Sequence, residues 1–414
     1  MRETGRIILP VSIYVFLVLT IGILTACQPE TSLPTPTSIG TRKSGYAPIS
    51  KSTLISTNSP FPTLKPSPLP SVTLISTITA TPIVVGPSRF PSDINPLTGL
   101  PLSDPDLLDR LPILVKVSNF PREGRPQAGL SFADIVFEHY IGEGTNRFTA
   151  LFYGRDSSQV GPIRSARLVD AQLTRLYQGI FAYAAADPNA VFPALDKWLG
   201  KRAINAAPAT CPALCDIGPH SIYSVFTDTS RLIKYSSEKL SIPMERPDLD
   251  GMAFSTIAPI STQPANQVGV IFNAWDIGIW QYNQATELYD RWIETVDSNN
   301  NVGMVPLTDR QTGQQLAFSN VMIVFVTYRE LAPTLHEIML WDNQKGSRAV
   351  LFRDGRAYEG TWKTTSNDHP IEFFSLQGQP LRFKPGATWM ILAGNNSSLQ
   401  SSSPGQWEMH FALP

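Results

Sequence analysis

Residues 113–170 read ILVKVSNFPREGRPQAGLSFADIVFEHYIGEGTNRFTALFYGRDSSQVGPIRSARLVD. In ILVKVS, Ile113, Val115 and Val117 alternate with Leu114, Lys116 and Ser118, the period of a strand with one better-buried face. ADIVFEHY and RFTALFY read as two further strands, separated by the glycine-containing connection IGEGTN. A Gly161-Pro162 turn then leads into Arg164-Ser165-Ala166-Arg167, where a helix is expected to open. Behind it Leu168, Val169, Leu173, Leu176 and Tyr177 recur at helical spacing. Strands with intervening helices make the first half an α/β or α+β domain.

The mixed pattern continues toward the C-terminus. GIFAYAAAD returns to strand, and NAVFPALDKWL reads as helix despite Pro193. The N-terminal domain is expected over residues 93–254, with 255–267 (STIAPISTQPANQ) connecting it to a second domain over 268–414. There the pattern changes to short alternating segments. The clearest hairpin is SRAVLFR and RAYEGTW around Asp354-Gly355, a pair that tolerates the positive φ of a tight primed turn. Trp275, Trp280, Trp292, Trp341 and Trp362, joined by Trp389 and Trp407, suit aromatic core anchors of a mostly antiparallel β domain. The expected fold class is therefore α+β.

Toward the N-terminus, residues 28–92 are dominated by Ser, Thr and Pro, in runs such as LPTPTS and LKPSPLPS. Such a segment buries too little apolar surface to fold, so a disordered stalk is expected. Before it, Arg2 and Arg6 precede an apolar run from Ile7 that ends in Leu24-Thr25-Ala26-Cys27. Positive flank, apolar segment and small residues make 1–27 a secretory signal. Its ending resembles the bacterial lipobox, which implies a lipidated Cys27 anchored in the cell membrane and a chain facing outside the cytoplasm. A retained anchor is the competing reading, but its span would be marginal for a bilayer.

Charge is balanced, 33 basic against 34 acidic residues, so no global field selects for nucleic acid and none is expected as a partner. Cys211 and Cys215 are the remaining cysteines. Outside the cytoplasm such a pair favours a disulfide, worth about 2 kcal/mol for so short a loop. A metal site with His220 lacks a fourth ligand and the usual spacing, so neither metal nor cofactor is expected.

Nucleophilic catalysis has weak support, because no Gly-x-Ser-x-Gly elbow is present. Asn119, Asp134, Glu138 and His220 form a candidate polar site. Asp134 and Glu138 share a strand face, but positions four apart on a strand lie about 13 Å from each other, beyond glycosidase geometry. Pairing with Arg147 on a neighbouring strand is the plainer use. Arg147, Arg164, Ser165 and Arg167 form the candidate anion site. At a helix N-terminus unpaired N–H groups and the dipole already favour negative charge, so two added guanidiniums need compensation. Either an external anion supplies it, or Glu138 or Asp134 does so internally.

Several unusual motifs, in order, resemble the YerB-like bacterial lipoproteins, a two-region family largely classed as of unknown function. They are NPLTGLP, RPQAGLSFADIVFEHYIGEGTNRFTALFY, VGPIRSARLVD and GPHSIYS, then DRQTGQQLAFSNVMIVFV, LFRDGRAYEGTWK and GATWMIL. The matching segments run from about residue 95 to about 393. AAADPN, 184–189, departs from the glycine- and serine-rich stretch of the family. The resemblance implies address and architecture and supplies no reaction. The expected protein is a lipoprotein binding an envelope component, an anionic wall polymer or a partner protein. The alternative is an envelope hydrolase or transferase acting on glycan or phosphoryl groups.

Overall fold

A strand whose two faces are both covered must satisfy every polar atom it carries, and ILVKVS is such a strand, with all six residues buried. The computed structural model describes residues 82–219 and 221–414, so Cys27, His220 and most of the expected stalk lie outside the described residues. The first half supplies β1 (Ile113–Ser118), β2 (Ile135–Gly142), β3 (Thr145–Phe152), α1 (Leu168–Leu176), β4 (Ile180–Tyr183), α2 (Val191–Leu199), β5 (Ala203–Asn205) and α3 (Thr229–Glu238). The second half opens with β6 (Ala265–Asn273), β7 (Asp276–Asn283), β8 (Leu288–Val296) and β9 (Val302–Pro306). It continues with β10 (Asn320–Ala332), β11 (Leu335–Met339), β12 (Ser347–Arg353), β13 (Arg356–Lys363) and β14 (Glu372–Ser375). β15 (Thr388–Gly394), β16 (Ser398–Ser403) and β17 (Gly405–His410) complete it.

Strands dominate, with few helices, and most pairings are antiparallel. The two halves share one sheet. Its order is β14-β13-β12-β10-β15-β2-β3-β1-β4-β5, with β11 paired to the end of β10. The seam is parallel: Thr388 of β15 stands opposite Ile135 of β2, and the register holds to Leu392 opposite His139. A second sheet, β9-β8-β7-β6-β17-β16, belongs to the second half alone. One core joins Val115, Val136 and Phe148 to Trp280, Tyr289 and Trp389; another joins Leu114, Phe137 and Leu173 to Met322, Val324 and Met390. The connection 255–267 thus divides the sequence but not the hydrogen bonding or the cores.

Local chemistry explains the corners. Glu143 and Gly144 take φ of 52° and 71° between β2 and β3, and Asp354 and Gly355 take 51° and 67° between β12 and β13. Both are tight turns of the primed kind. The helix expected to open at Arg164 starts later, at Leu168. Residues 163–166 are extended because they sit between the separating ends of β1 and β4: Arg164 N donates to Lys116 O at 2.9 Å, and Ala184 N to Arg164 O at 3.1 Å. The expected stalk is also shorter at its folded end. Val84 and Val85 pair with Ser255 and Phe254, and Phe90 packs edge-on against Phe254. Of the tryptophans expected in the core, Trp280, Trp362 and Trp389 are fully buried, while Trp275 is half exposed. The Cys211 and Cys215 sulfurs are bonded, with Cα atoms 5.0 Å apart.

Candidate anion site

The parallel strands β1 and β4 diverge at their carboxyl ends, the place where open sheets with crossover helices bind ligands. Three arginines meet there. Arg147 stands near the start of β3, opposite Ser118, while Arg164 and Arg167 belong to the inserted segment and the α1 cap. Arg147 Nη1 donates to Ser165 O at 2.8 Å, and Arg167 Nη1 donates to the same oxygen at 3.3 Å and to Ala166 O at 2.9 Å. Two guanidiniums are thereby fixed beside one carbonyl. The Nε atoms of Arg147, Arg164 and Arg167 are buried and have no hydrogen-bond partner among the described residues. Among the described residues no carboxylate approaches any of the three guanidiniums within ion-pairing distance, 4.0 Å. Burial pushes the pKa of Arg147 well down, and the charges of Arg167 and Arg164 push it further. Burial is also the main cause of the lowered values of Arg164 and Arg167.

Below the arginines lies a closed polar group that the sequence reading missed. Lys116 Nζ donates to Asp170 Oδ1 at 2.9 Å, to Thr149 Oγ1 at 3.1 Å and to His139 Nε2 at 2.6 Å. Thr149 Oγ1 donates to Asp170 Oδ1 at 2.7 Å, and Asp170 Oδ2 accepts from Arg167 N at 2.6 Å. All four side chains are fully buried. Burial lowers Lys116 to about 7, opposed chiefly by Asp170. His139 falls well below its ordinary value through burial and the Lys116 charge, so it serves as a neutral acceptor. Asp170 is therefore ion-paired with Lys116, and its charge reaches Arg167 and Arg147 only through space, without a direct ion pair among the described residues. A lysine between apolar neighbours in ILVKVS was the available signal, together with an aspartate three residues after the helix cap.

The other candidates do not gather here. Asp134 precedes β2 at its far end, where its carboxylate accepts from Asn95 Nδ2, Tyr153 N and Gly154 N. Burial pushes its pKa up, against those N–H groups. Glu138 faces the second sheet, accepting from Asn146 Nδ2 and Trp389 Nε1 at 2.6 Å each and facing Arg291 at 3.5 Å. Asn119 joins that group through Asn146 and Arg125. Pairing of Arg147 with Asp134 or Glu138, and internal neutralisation of Arg164 and Arg167 by the same acids, are thus both corrected. Alternation along β2 puts Glu138 on the opposite face from His139. A cleft of about 690 Å³ lined by Ile260, Tyr358, Leu376 and Arg382 lies at the opposite edge of the central sheet, away from these groups.

Residues 97–239 match the family described as "Protein of unknown function (DUF3048) N-terminal domain", and residues 270–390 match its C-terminal domain. The chain belongs to this family. YerB of Bacillus subtilis (strain 168), whose name describes it as a lipoprotein, is 27% identical over 277 residues, 62% of this chain and 74% of YerB. The crystal structure of YerB from Bacillus subtilis superposes with a TM-score of 0.57 at 26% identity, covering 72% of this chain and 96% of that one. The arginine cluster and the group beneath it fall within the DUF3048 N-terminal match, and β15, which completes their sheet, begins within the C-terminal match.

Proposed function

We propose that the protein is a membrane-anchored lipoprotein that binds an anionic wall polymer outside the cytoplasm through Arg147, Arg164 and Arg167. The observation that carries this reading is three clustered guanidiniums with no carboxylate in ion-pairing distance among the described residues, above an aspartate ion-paired with Lys116. Such a cluster opposes the α1 dipole and its own desolvation, and an anion relieves both. Arginine suits planar, bidentate contact with phosphate or carboxylate, which lysine does not reproduce.

Arg164→Lys is expected to weaken binding of a phosphate-bearing wall polymer by about tenfold or more, the loss of a hydrogen bond to a charged group. The unfolding midpoint should stay put. Arg164 gives no side-chain hydrogen bond to the described residues, so the fold does not depend on its head group. A midpoint that drops, with no saturable polymer binding by the wild type, would overturn the reading. Anchoring rests on Cys27 and on the lipoprotein naming of YerB. Labelled lipid should attach to the wild type and not to Cys27→Ala; wild-type protein with an intact, unlipidated Met1 would refute anchoring.

A further inference from the structure

His336 lies on β11, in the second half of the chain, yet β11 packs against α1. Gln172 Nε2 donates to Ile338 O at 2.8 Å, and Gln172 Oε1 accepts from Leu340 N at 2.9 Å. β11 runs back along β10 from the carboxyl end of the sheet, and α1 runs the same way, from the ends of β1 and β4 toward the start of β4. Two residues back along a strand from Ile338 cover about 6.6 Å. Four residues back along a helix from Gln172 cover about 6 Å. His336 is therefore level with Leu168 and the Arg167 cap. The residue is 4% exposed, its ring meets Tyr140 edge-on at 5.1 Å, and neither nitrogen has a hydrogen-bond partner among the described residues. Glu330, its ion-pair neighbour, stands 3.9 Å away, too far for a hydrogen bond. Burial lowers its pKa against the opposing charge of Glu330, with a smaller push from Arg167, so the ring is neutral and has one N–H to give.

The charge count narrows the ligand. The Arg147 and Arg167 groups that converge on Ser165 O, with Arg164 beside them, bring three positive charges; Asp170 is paired with Lys116, and the Asp187 carboxylate, which acts on Arg167, leaves a surplus of two. A carboxylate or a phosphodiester brings one negative charge. A phosphomonoester brings nearly two, on three terminal oxygens, and so matches both the charge and the number of donors.

Resting on the anion-binding reading, we infer that the site takes the dianionic phosphoryl group of a phosphomonoester and that His336 donates a further hydrogen bond to it. The inference assigns the second half of the chain a place in the site, as a specificity-determining contact.

The test is calorimetric titration of the lipidated full chain in detergent with methyl phosphate, dimethyl phosphate and acetate. Methyl phosphate should saturate the protein and bind at least about tenfold more tightly than the two single-charge probes. His336→Phe keeps the ring packing against Tyr140 but removes the N–H. It should weaken methyl phosphate about tenfold, with an unchanged or raised unfolding midpoint. His336→Gln keeps a donor and should retain most of the affinity. A buried histidine that merely packs would leave methyl phosphate affinity untouched in both variants, and that result overturns the His336 contact. Dimethyl phosphate or acetate binding as tightly as methyl phosphate overturns the dianion assignment. If none of the three saturates, this inference falls. The broader anion reading falls with it only if the wall polymer also fails to bind. A wall-polymer end and a soluble phosphomonoester share this chemistry. Polymer fragments titrated before and after phosphatase treatment separate the sources, since only a recognised polymer end loses affinity on treatment.

Discussion

Asp170→Ala is expected to lower the free energy of unfolding by about 3–5 kcal/mol, the range for removing one partner of a buried ion pair. Most of that is the cost of leaving Lys116 buried without the carboxylate that accepts from it at 2.9 Å, so that it either gives up its proton or stays charged and unpaired. The variant also removes the acceptor for Thr149 Oγ1 and for the Arg167 N–H at the start of α1. The effect should depend on pH. Folded Lys116 is lowered to about 7, below its unfolded value, so between those values the unfolded chain binds the extra proton. Stability from this group therefore rises as pH climbs above about 7, in wild type and variant alike. Without Asp170 the folded value falls further, so the gap between the two proteins should widen as pH drops below about 7. Urea unfolding at pH 6 and pH 9 measures this directly. A loss under about 1 kcal/mol, or a gap that does not change with pH, would mean Lys116 does not depend on Asp170.

Trp389→Ala should cost about 4 kcal/mol, the transfer and cavity terms of a large buried aromatic plus an orphaned acceptor. Trp389 lies on β15 and packs edge-on against Phe148 of β3 at 5.0 Å, Trp280 of β7 at 5.7 Å and Phe318 at 5.1 Å. Its Nε1 donates to Glu138, whose pKa burial already pushes up, so losing this donor favours the protonated acid. One side chain thus touches both halves of the chain and both sheets. Amide exchange should show protection falling in β1, β2 and β3 together with β15. If only second-half amides lose protection while β2 stays unchanged, the shared core is not cooperative. Against a total stability of about 5–15 kcal/mol, either substitution is large.

What the sequence made legible follows the range of the interactions involved. Strands β1 to β3, the α1 stripe and the Asp354-Gly355 hairpin are set by neighbours in sequence, so period and turn chemistry found them. The shared sheet was not legible. Pairing of Ile135 with Thr388 leaves no trace in either local pattern, because alternation says which face is buried and not which strand lies alongside. The same holds at the site. Arg147, Arg164 and Arg167 stood out as charges near a helix start, and the fold brings them together. Glu138 was grouped with them through proximity in sequence, and alternation along β2 sends it to the other face. Lys116 was read on the less-buried face of its strand, and the elements covering it made both faces interior. His336, contributed from the second half, had no local mark beyond a histidine in a strand.

The seam between β2 and β15 also sets an order of events in the life of the chain. β2 begins at Ile135 and its neighbour β15 at Thr388, so one flank of the central sheet stays bare until nearly the whole polypeptide is available. For a chain carried across the membrane unfolded, that interval lasts until the C-terminal segment emerges on the outer side. Through it β2 presents an apolar edge that invites wrong partners, and non-local parallel pairing is slow to form. Chains cut short before residue 394 would lack part of this neighbour, which makes truncated forms natural prey for proteolysis. Completion of the polypeptide thereby becomes a checkpoint on its own maturation.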